Sequence, residues 1–405
     1  MEMEYSRNFK INDISYTRIR SRKSKHPFHL ILKSFWLFGL HLEGYNDTTL
    51  IFNVFFKIWT VIIIFCYHSW IVFDVIWYFN HRVHENALAE SVTVWASTIT
   101  FDFLIWKRKD IRKLMEVVKT ETLKLNEKTR KKHEKKILIV VVSVWLYVMI
   151  FVVQNLVFCV EKEYSKQHTS SIIGYASQGL SPSEQIAYYR LNGCLQSFFI
   201  QGLLTMTIAL YLLLCLTCKK WFQHLKKQYS NTERLSSLSE TERFCSRFDE
   251  LSKNVHLLDQ VFSLPVAVWL LMILVTLCVR IVLILNPLLP NTNQMITATV
   301  LSFSRAATAL VGMSFIADSV HKKAMITLFQ LDSFPKVGKD ALSNAMYQEI
   351  HMAFTRFAFN PTQLTFLKIA RLNRRFLMTC IGMMSTYVII SIQLYPNAKR
   401  GLGSI

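Results

Sequence analysis

The chain has 405 residues, of which 52% are hydrophobic and only 18% charged, a balance that excludes an ordinary water-soluble domain and points to a polytopic membrane protein. Lys and Arg total 47 against 27 acidic residues, a formal net charge of +20; spread evenly, these charges would forbid any membrane span, but they are clumped. Gly (11) and Pro (8) are too scarce for a low-complexity or collagen-like architecture, and 8 Cys are too few for a disulfide framework.

The first 27 residues are polar and basic with no small-residue cleavage site after them, so no signal peptide is expected. Residues 28–41 are apolar, but the run is short and Lys33 interrupts it, which predicts an interfacial amphipathic helix. A span needs about 20 apolar residues to cross about 30 Å of hydrocarbon. Seven stretches meet or approach that length: Leu50 to Asn80, Ala87 to Trp106, Ile137 to Val160, Leu191 to Leu216, Leu257 to Asn286, Met295 to Val320 and Phe376 to Leu394. Segments on the amino-terminal side of these spans hold 38 Lys and Arg, those on the other side 6, and Lys57, Arg280 and Arg305 lie inside spans. Basic flanks are retained in the cytosol, so the amino terminus is expected inside and, with seven spans, the carboxyl terminus outside.

That topology is inverted relative to a G-protein-coupled receptor. It also leaves the sequon at Asn46, Asp47 and Thr48 cytosolic and without glycan. The charge asymmetry accounts for the basic pI, so nucleic acid is not an expected partner.

Three cytoplasmic segments show helical periodicity. The first carries Ile111, Leu114, Met115 and Val118, then Leu123 and Leu125. The second carries Phe244, Phe248, Leu251, Val255 and Leu258, with Ser239 and Glu242 as a capping box before it. The third carries Met346, Ile350, Ala353 or Phe354, and Phe357, and is expected to stop at Asn360-Pro361. Such stripes need apolar partners, either each other in a packed intracellular assembly or the inner leaflet of the membrane.

The seventh span is the least apolar. Thr379, Gly382, Thr386, Ile389 and Gln393 recur at intervals of 3, 4, 3 and 4 and so share one narrow helical face. In a membrane helix such a stripe is either a close-packed helix interface or one wall of a water-filled path, and the latter requires several copies around an axis. An apolar ring at Leu394 beside an amide ring at Gln393 is chemistry suited to a gate.

Thr386-Tyr387, followed by Val388, Ile389, Ile390, Ser391 and Ile392 and then Gln393-Leu394, resembles the carboxyl-terminal signature of insect gustatory receptors. That signature is Thr-Tyr, five apolar residues and Gln-Phe; Ser391 and Leu394 depart from it. The stretch from Pro361 through Leu372, Asn373, Arg374, Arg375 and Phe376 to Gly382 is similar in layout, and the insect odorant receptors share that layout without the Thr-Tyr and Gln pair. The resemblance covers about 35 residues at this level of detail. It implies a ligand-gated nonselective cation channel, a homotetramer or a heterotetramer with related receptors, in the plasma membrane of sensory neurons. The expected fold is an all-α polytopic membrane protein. Residues 1–48 form a cytoplasmic segment, 49–320 a six-helix ligand-binding bundle with cytoplasmic extensions, and 321–375 a cytoplasmic anchor helix and link. Residues 376–394 form the pore-lining helix, with Gln393 and Leu394 at the gate, and 395–405 an extracellular tail.

The resemblance places a small-molecule tastant in the outer half of the bundle. Candidate lining groups are Asp74, Glu90, Trp95, Gln154, Gln196, Arg280, Thr297, Ser302 and Arg305, with Trp70, Trp77 and Trp145 among them. Ionisable groups in a span face a cavity or each other, so the alternative is that Arg280 or Arg305 pairs with Asp74, Glu90 or Asp102. Cys159 and Cys194 lie near the outer ends of spans 3 and 4 and are candidates for a disulfide. No metal-ligand spacing, phosphate loop or catalytic constellation is visible, so no cofactor, metal or enzyme activity is expected, and membrane lipid is the other expected partner. The competing functions are an odorant receptor subunit working with a coreceptor and a secondary transporter. The latter usually shows repeated halves and broken spans, and here Pro265 is the sole candidate break.

Overall fold

In a computed structural model of the chain, residues 28–42, 50–80, 85–158, 181–229, 238–285, 293–329 and 341–402 are described. They form α1 (His29–Leu37), α2 (Leu50–Asn80), α3 (Glu85–Trp106), α4 (Arg108–Leu123), α5 (Glu127–Phe158) and α6 (Pro182–Gln196). A π-helical turn (Ser197–Gln201) leads directly into α7 (Gly202–Gln228). There follow α8 (Leu238–Leu285), α9 (Asn293–Leu328), α10 (Ala341–Phe359), a hairpin of β1 (Thr365–Phe366) and β2 (Ala370–Arg371), and α11 (Arg374–Leu402). Asn46 and Cys159 lie outside the described residues. Cys194 is a free thiol whose Sγ approaches the Val152 carbonyl oxygen at 3.8 Å.

Among the described residues six helices are long and apolar enough to cross a membrane, and each overlaps one of the first six expected spans. The seventh, α11, has 29 residues, about 44 Å of helix at 1.5 Å per residue, and is the mixed-polarity one. α2 shows Val54, Phe55, Ile58, Val61, Ile62 and Phe65 on its exposed side, a surface suited to lipid. α8, with 48 residues, is about 72 Å long, more than twice a bilayer's hydrocarbon, so its first half projects beyond the membrane. The final turns of α7 and the first turns of α5 project on the same side.

That projecting half of α8 is the hub of the cytoplasmic assembly. Phe244, Phe248, Leu251, Val255 and Leu258 are all buried, so the heptad-like stripe is a protein core and does not lie on lipid. Ile111, Leu114, Met115 and Val118 of α4 are buried in the same cluster. On α10, Ala353 is buried, with Ile350, Phe354 and Phe357 packed against the core. Phe357 meets Phe248 and stacks on His321, and Arg356 pairs with Asp249 at 2.8 Å. α10 ends at Phe359, just before Asn360-Pro361 as expected. Two details differ. Leu123 is exposed where Leu125 is buried, because α4 ends at Leu123 and the chain turns there. α8 is already helical at Leu238, so Ser239 lies within the first turn and not ahead of it.

The amino-terminal helix corrects the expectation of an interfacial segment. Phe28, Ile31, Leu32, Phe35, Phe38, Leu40 and Leu42 are all buried, so this hook inserts into the bundle. Phe38 stacks on Trp145 and Phe198 and meets the edge of Phe199. A Cβ on Gly202 would meet the Phe38 ring at 3.0 and 3.1 Å, so a larger residue there would have to push the ring aside by a few tenths of an ångström. Trp145 donates its indole N–H to the Ser34 hydroxyl at 2.9 Å, and Arg108 and Arg112 of α4 donate to the His41 carbonyl at 2.7 and 3.0 Å.

Candidate pore helix and ligand pocket

α11 starts where Asn373 caps it: the side-chain Oδ1 accepts from the Phe376 N–H at 2.8 Å. Its base is tied to α9 by Arg374, which reaches Asp318 at 3.5 Å and lies over the Phe315 ring. Directly before it, the hairpin is fastened to α8. Asp259 accepts from the Thr365 N–H at 2.6 Å and from its hydroxyl at 2.9 Å, and the Leu367 N–H reaches the Ser263 carbonyl.

Along α11, Leu377, Cys380 and Val388 are buried, and Met384 packs against the same core. Their spacing of 3, 4 and 4 defines one face, turned toward α8 and α9. At about 100° per residue, the stripe of Thr379, Gly382, Thr386, Ile389 and Gln393 lies on the opposite side. All five are exposed, and a Cβ on Gly382 would meet nothing within 4 Å. Thr379 and Thr386 satisfy their hydroxyl donors on the carbonyls of Arg375 and Gly382, at 3.1 and 3.0 Å, so neither needs a partner helix. Flanking the stripe, Met378, Met383, Tyr387 and Ile390 are exposed apolar side chains. Leu394 falls in the helix beyond Gln393.

The polar residues of the outer bundle separate into two groups. In one, Asp74 of α2 accepts from the Ser91 hydroxyl of α3 at 2.9 Å, with Trp95 and Glu90 beside the same carboxylate. In the other, Arg305 of α9 lies 5.7 Å from the centre of the Phe151 ring, close to Tyr147 of α5 and to Arg280 of α8. Gln154 is one turn beyond Phe151 on the same face of α5; its Oε1 is buried without a partner, as is Arg305 Nη1. Ser302 is buried one turn before Arg305. No carboxylate among the described residues pairs with Arg305, and Asp102 faces His68 at 3.5 Å. Glu90 and Thr297 are exposed, and Gln196 is half-buried at the entry to the π turn.

Three participants escaped the sequence reading. Tyr147 and Phe151 share the Gln154 face at spacings of 4 and 3, a periodicity that only a neighbouring cation makes meaningful. The third is the π turn. The Phe199 carbonyl accepts from the Tyr67 hydroxyl at 2.7 Å and the Ile200 carbonyl from the Ser97 hydroxyl at 3.2 Å. The turn thus docks α7 on α2 and α3 and holds Phe198 and Phe199 against Trp145, Trp70 and Trp59. Such single-turn π bulges have no sequence signal of their own and are frequent at functional sites.

Comparison with known proteins agrees with this architecture. A family model described as "7tm Chemosensory receptor" matches residues 28–396. Two solved structures of the insect olfactory receptor OR5 from Machilis hrabei are similar in fold. The complex with eugenol has a TM-score of 0.70 and the structure without it 0.71, each at 11% identity and covering 90% of this chain and 97% of that one. No curated protein matches. The chain is a multi-pass membrane protein, not an enzyme, and belongs to the 7tm chemosensory receptor family.

Proposed function

We propose that four copies of this chain surround a common axis with α11 innermost, forming a gustatory-type, ligand-gated, nonselective cation channel opened by a small tastant at the surface of sensory neurons. The observation that carries this reading is the two-faced seventh helix. Its apolar face is spent on its own bundle, and the small and polar stripe of Thr379, Gly382, Thr386, Ile389 and Gln393 points directly away from it. A ring of such helices turns that stripe inward and gives the flanking Met378, Met383, Tyr387 and Ile390 neighbouring subunits to pack on. Gln393 and Leu394 form the gate, the leucine ring closing it by dewetting and the amides lining it when open.

In this reading 321–375 belongs to the cytoplasmic part, 49–320 is the ligand-binding bundle into which the 28–42 hook inserts, and 395–405 is the outer tail. The tastant contacts the groups around Asp74, Glu90 and Trp95 and around Gln154, Arg280, Ser302 and Arg305, with Gln196 and Thr297 at their margins. Aromatic walls with a few oriented polar groups are the usual composition of a small-molecule pocket. The Thr386-Tyr387 and Gln393 signature favours taste over smell. Whether the tetramer is made of one chain or of related chains is read from currents when this chain is expressed alone.

Joint replacement Gln393→Ala and Leu394→Ala is expected to raise current in the absence of ligand several-fold, about 1 kcal/mol or more of lost bias toward the closed state, and to alter relative cation permeability. Whole-cell recording checks this. Unchanged gating and permeation would remove both residues from the gate.

A further inference from the structure

A cavity of about 420 Å³ lies in the cytoplasmic assembly where α4, α7 and α8 meet, lined among others by Lys124, Trp221, His224, Gln228, Arg243 and Arg247. It is far from both the pore stripe and the outer pocket. Trp221 is five residues past Leu216, where the fourth expected apolar run ends, about 8 Å along the helix.

The carboxylate in the cavity wall, Glu121, is already paired. Glu121, 3% exposed, is held by Arg247, with one contact at 3.2 Å and a second shorter one, and by Lys124 at 2.8 Å. What remains is a set of donors. Trp221 is 2% exposed, and its indole N–H is buried without an acceptor, a costly state for a polar group. Arg243 is exposed and His224 half-buried; among the described residues Arg243 takes part in no hydrogen bond or ion pair and His224 in no hydrogen bond. Burial first, then Arg247 and Lys227, push the His224 pKa below the ordinary imidazole range. A volume of this size accommodates a small organic molecule and not merely a halide or a water. The Arg243 guanidinium and the Trp221 indole N–H line one space and suit phosphate oxygens, whereas Lys124 and Arg247 are paired with Glu121 and Glu250.

We propose that this cavity binds a phosphate-bearing polyanion, the chemistry shared by a phosphoinositide headgroup of the inner leaflet and a free cytosolic polyphosphate. Occupancy joins α4 to the inner ends of α7 and α8, so the ligand braces the cytoplasmic assembly against which the channel opens.

The test uses the full-length receptor. In detergent, its thermal midpoint is followed with ATP or inositol trisphosphate; in nanodiscs of phosphatidylcholine, with and without phosphatidylinositol 4,5-bisphosphate. Stabilisation is expected in at least one arm. Arg243→Ala should weaken the effective affinity about tenfold, the loss of one charge-assisted contact, Trp221→Phe should weaken it while keeping the ring, and Lys253→Ala on the neighbouring surface should not. Response to the soluble probes assigns the site to a free polyphosphate, and response only to the lipid assigns it to a headgroup. No stabilisation in either arm overturns the proposal. So does stabilisation that Arg243→Ala and Trp221→Phe leave intact, or that Lys253→Ala weakens equally. Arg247 is not used as the probe, because its removal strands Glu121.

Discussion

Arg247→Ala is expected to destabilise the protein by about 3–5 kcal/mol, the cost of leaving a buried charge without its partner. Glu121 is almost wholly buried in α4, and Arg247 of α8 reaches it through both guanidinium nitrogens while also holding Glu250. Lys124 remains after the substitution, but it is half-exposed and binds one oxygen only. Glu121→Gln combined with Arg247→Ala should recover much of the loss, because the buried group is then neutral. Thermal unfolding followed by size-exclusion fluorescence measures both. A single variant as stable as the parent would mean that Glu121 is solvated, contrary to its burial.

Asp259→Ala is the second large effect, expected at about 2–4 kcal/mol, since it leaves the buried Thr365 N–H and hydroxyl without their acceptor. The consequence reaches the pore helix, because the hairpin leads within three residues into α11. Its turn carries Leu367 and Lys368 at φ of 49° and 58°, left-handed conformations that cost an L-residue about 1–2 kcal/mol each. The Asp259 tether and the Leu367 contact with Ser263 hold that turn in place. Reduced surface expression together with altered agonist sensitivity of the remaining channels is the expected result, with Asp259→Asn milder because it keeps an acceptor. Surface labelling and dose-response recording separate the two effects.

Much of the fold was readable because lipid imposes a simple rule. The first six apolar windows all became helices, the third to sixth running on into the cytoplasmic extensions, and the cytoplasmic stripe of Phe244, Phe248, Leu251, Val255 and Leu258 announced a core by its spacing alone. The stripe on α11 was equally legible, since small and polar residues at 3 and 4 intervals define a face in any helix. What such periodicity leaves open is the direction of that face. It became definite only when Leu377, Cys380 and Val388 were found packed against α8 and α9.

Tertiary fit accounts for what was missed. The segment 28–42 is apolar enough for an interface, and its insertion depends on Gly202 and Trp145, more than 100 residues away. The π turn depends on hydroxyls from Tyr67 and Ser97, equally remote in sequence. In the outer bundle, chemistry selected the polar residues but could not pair them. Asp74 chose a serine and Arg305 an aromatic ring, where an arginine–carboxylate bridge was the simpler expectation.

The claim that the α11 stripe faces an ion path is tested most directly by cysteine accessibility during recording. Thr386→Cys, Ile389→Cys and Val388→Cys channels are exposed to a cationic methanethiosulfonate reagent from outside, with the unsubstituted channel as control for its native thiols. The account predicts irreversible loss of agonist-evoked current at Thr386→Cys and Ile389→Cys, faster when agonist is present, and no change at Val388→Cys, whose parent side chain is buried against the bundle. Modification at Val388→Cys with Thr386→Cys and Ile389→Cys inert would contradict it and make the stripe a packing interface.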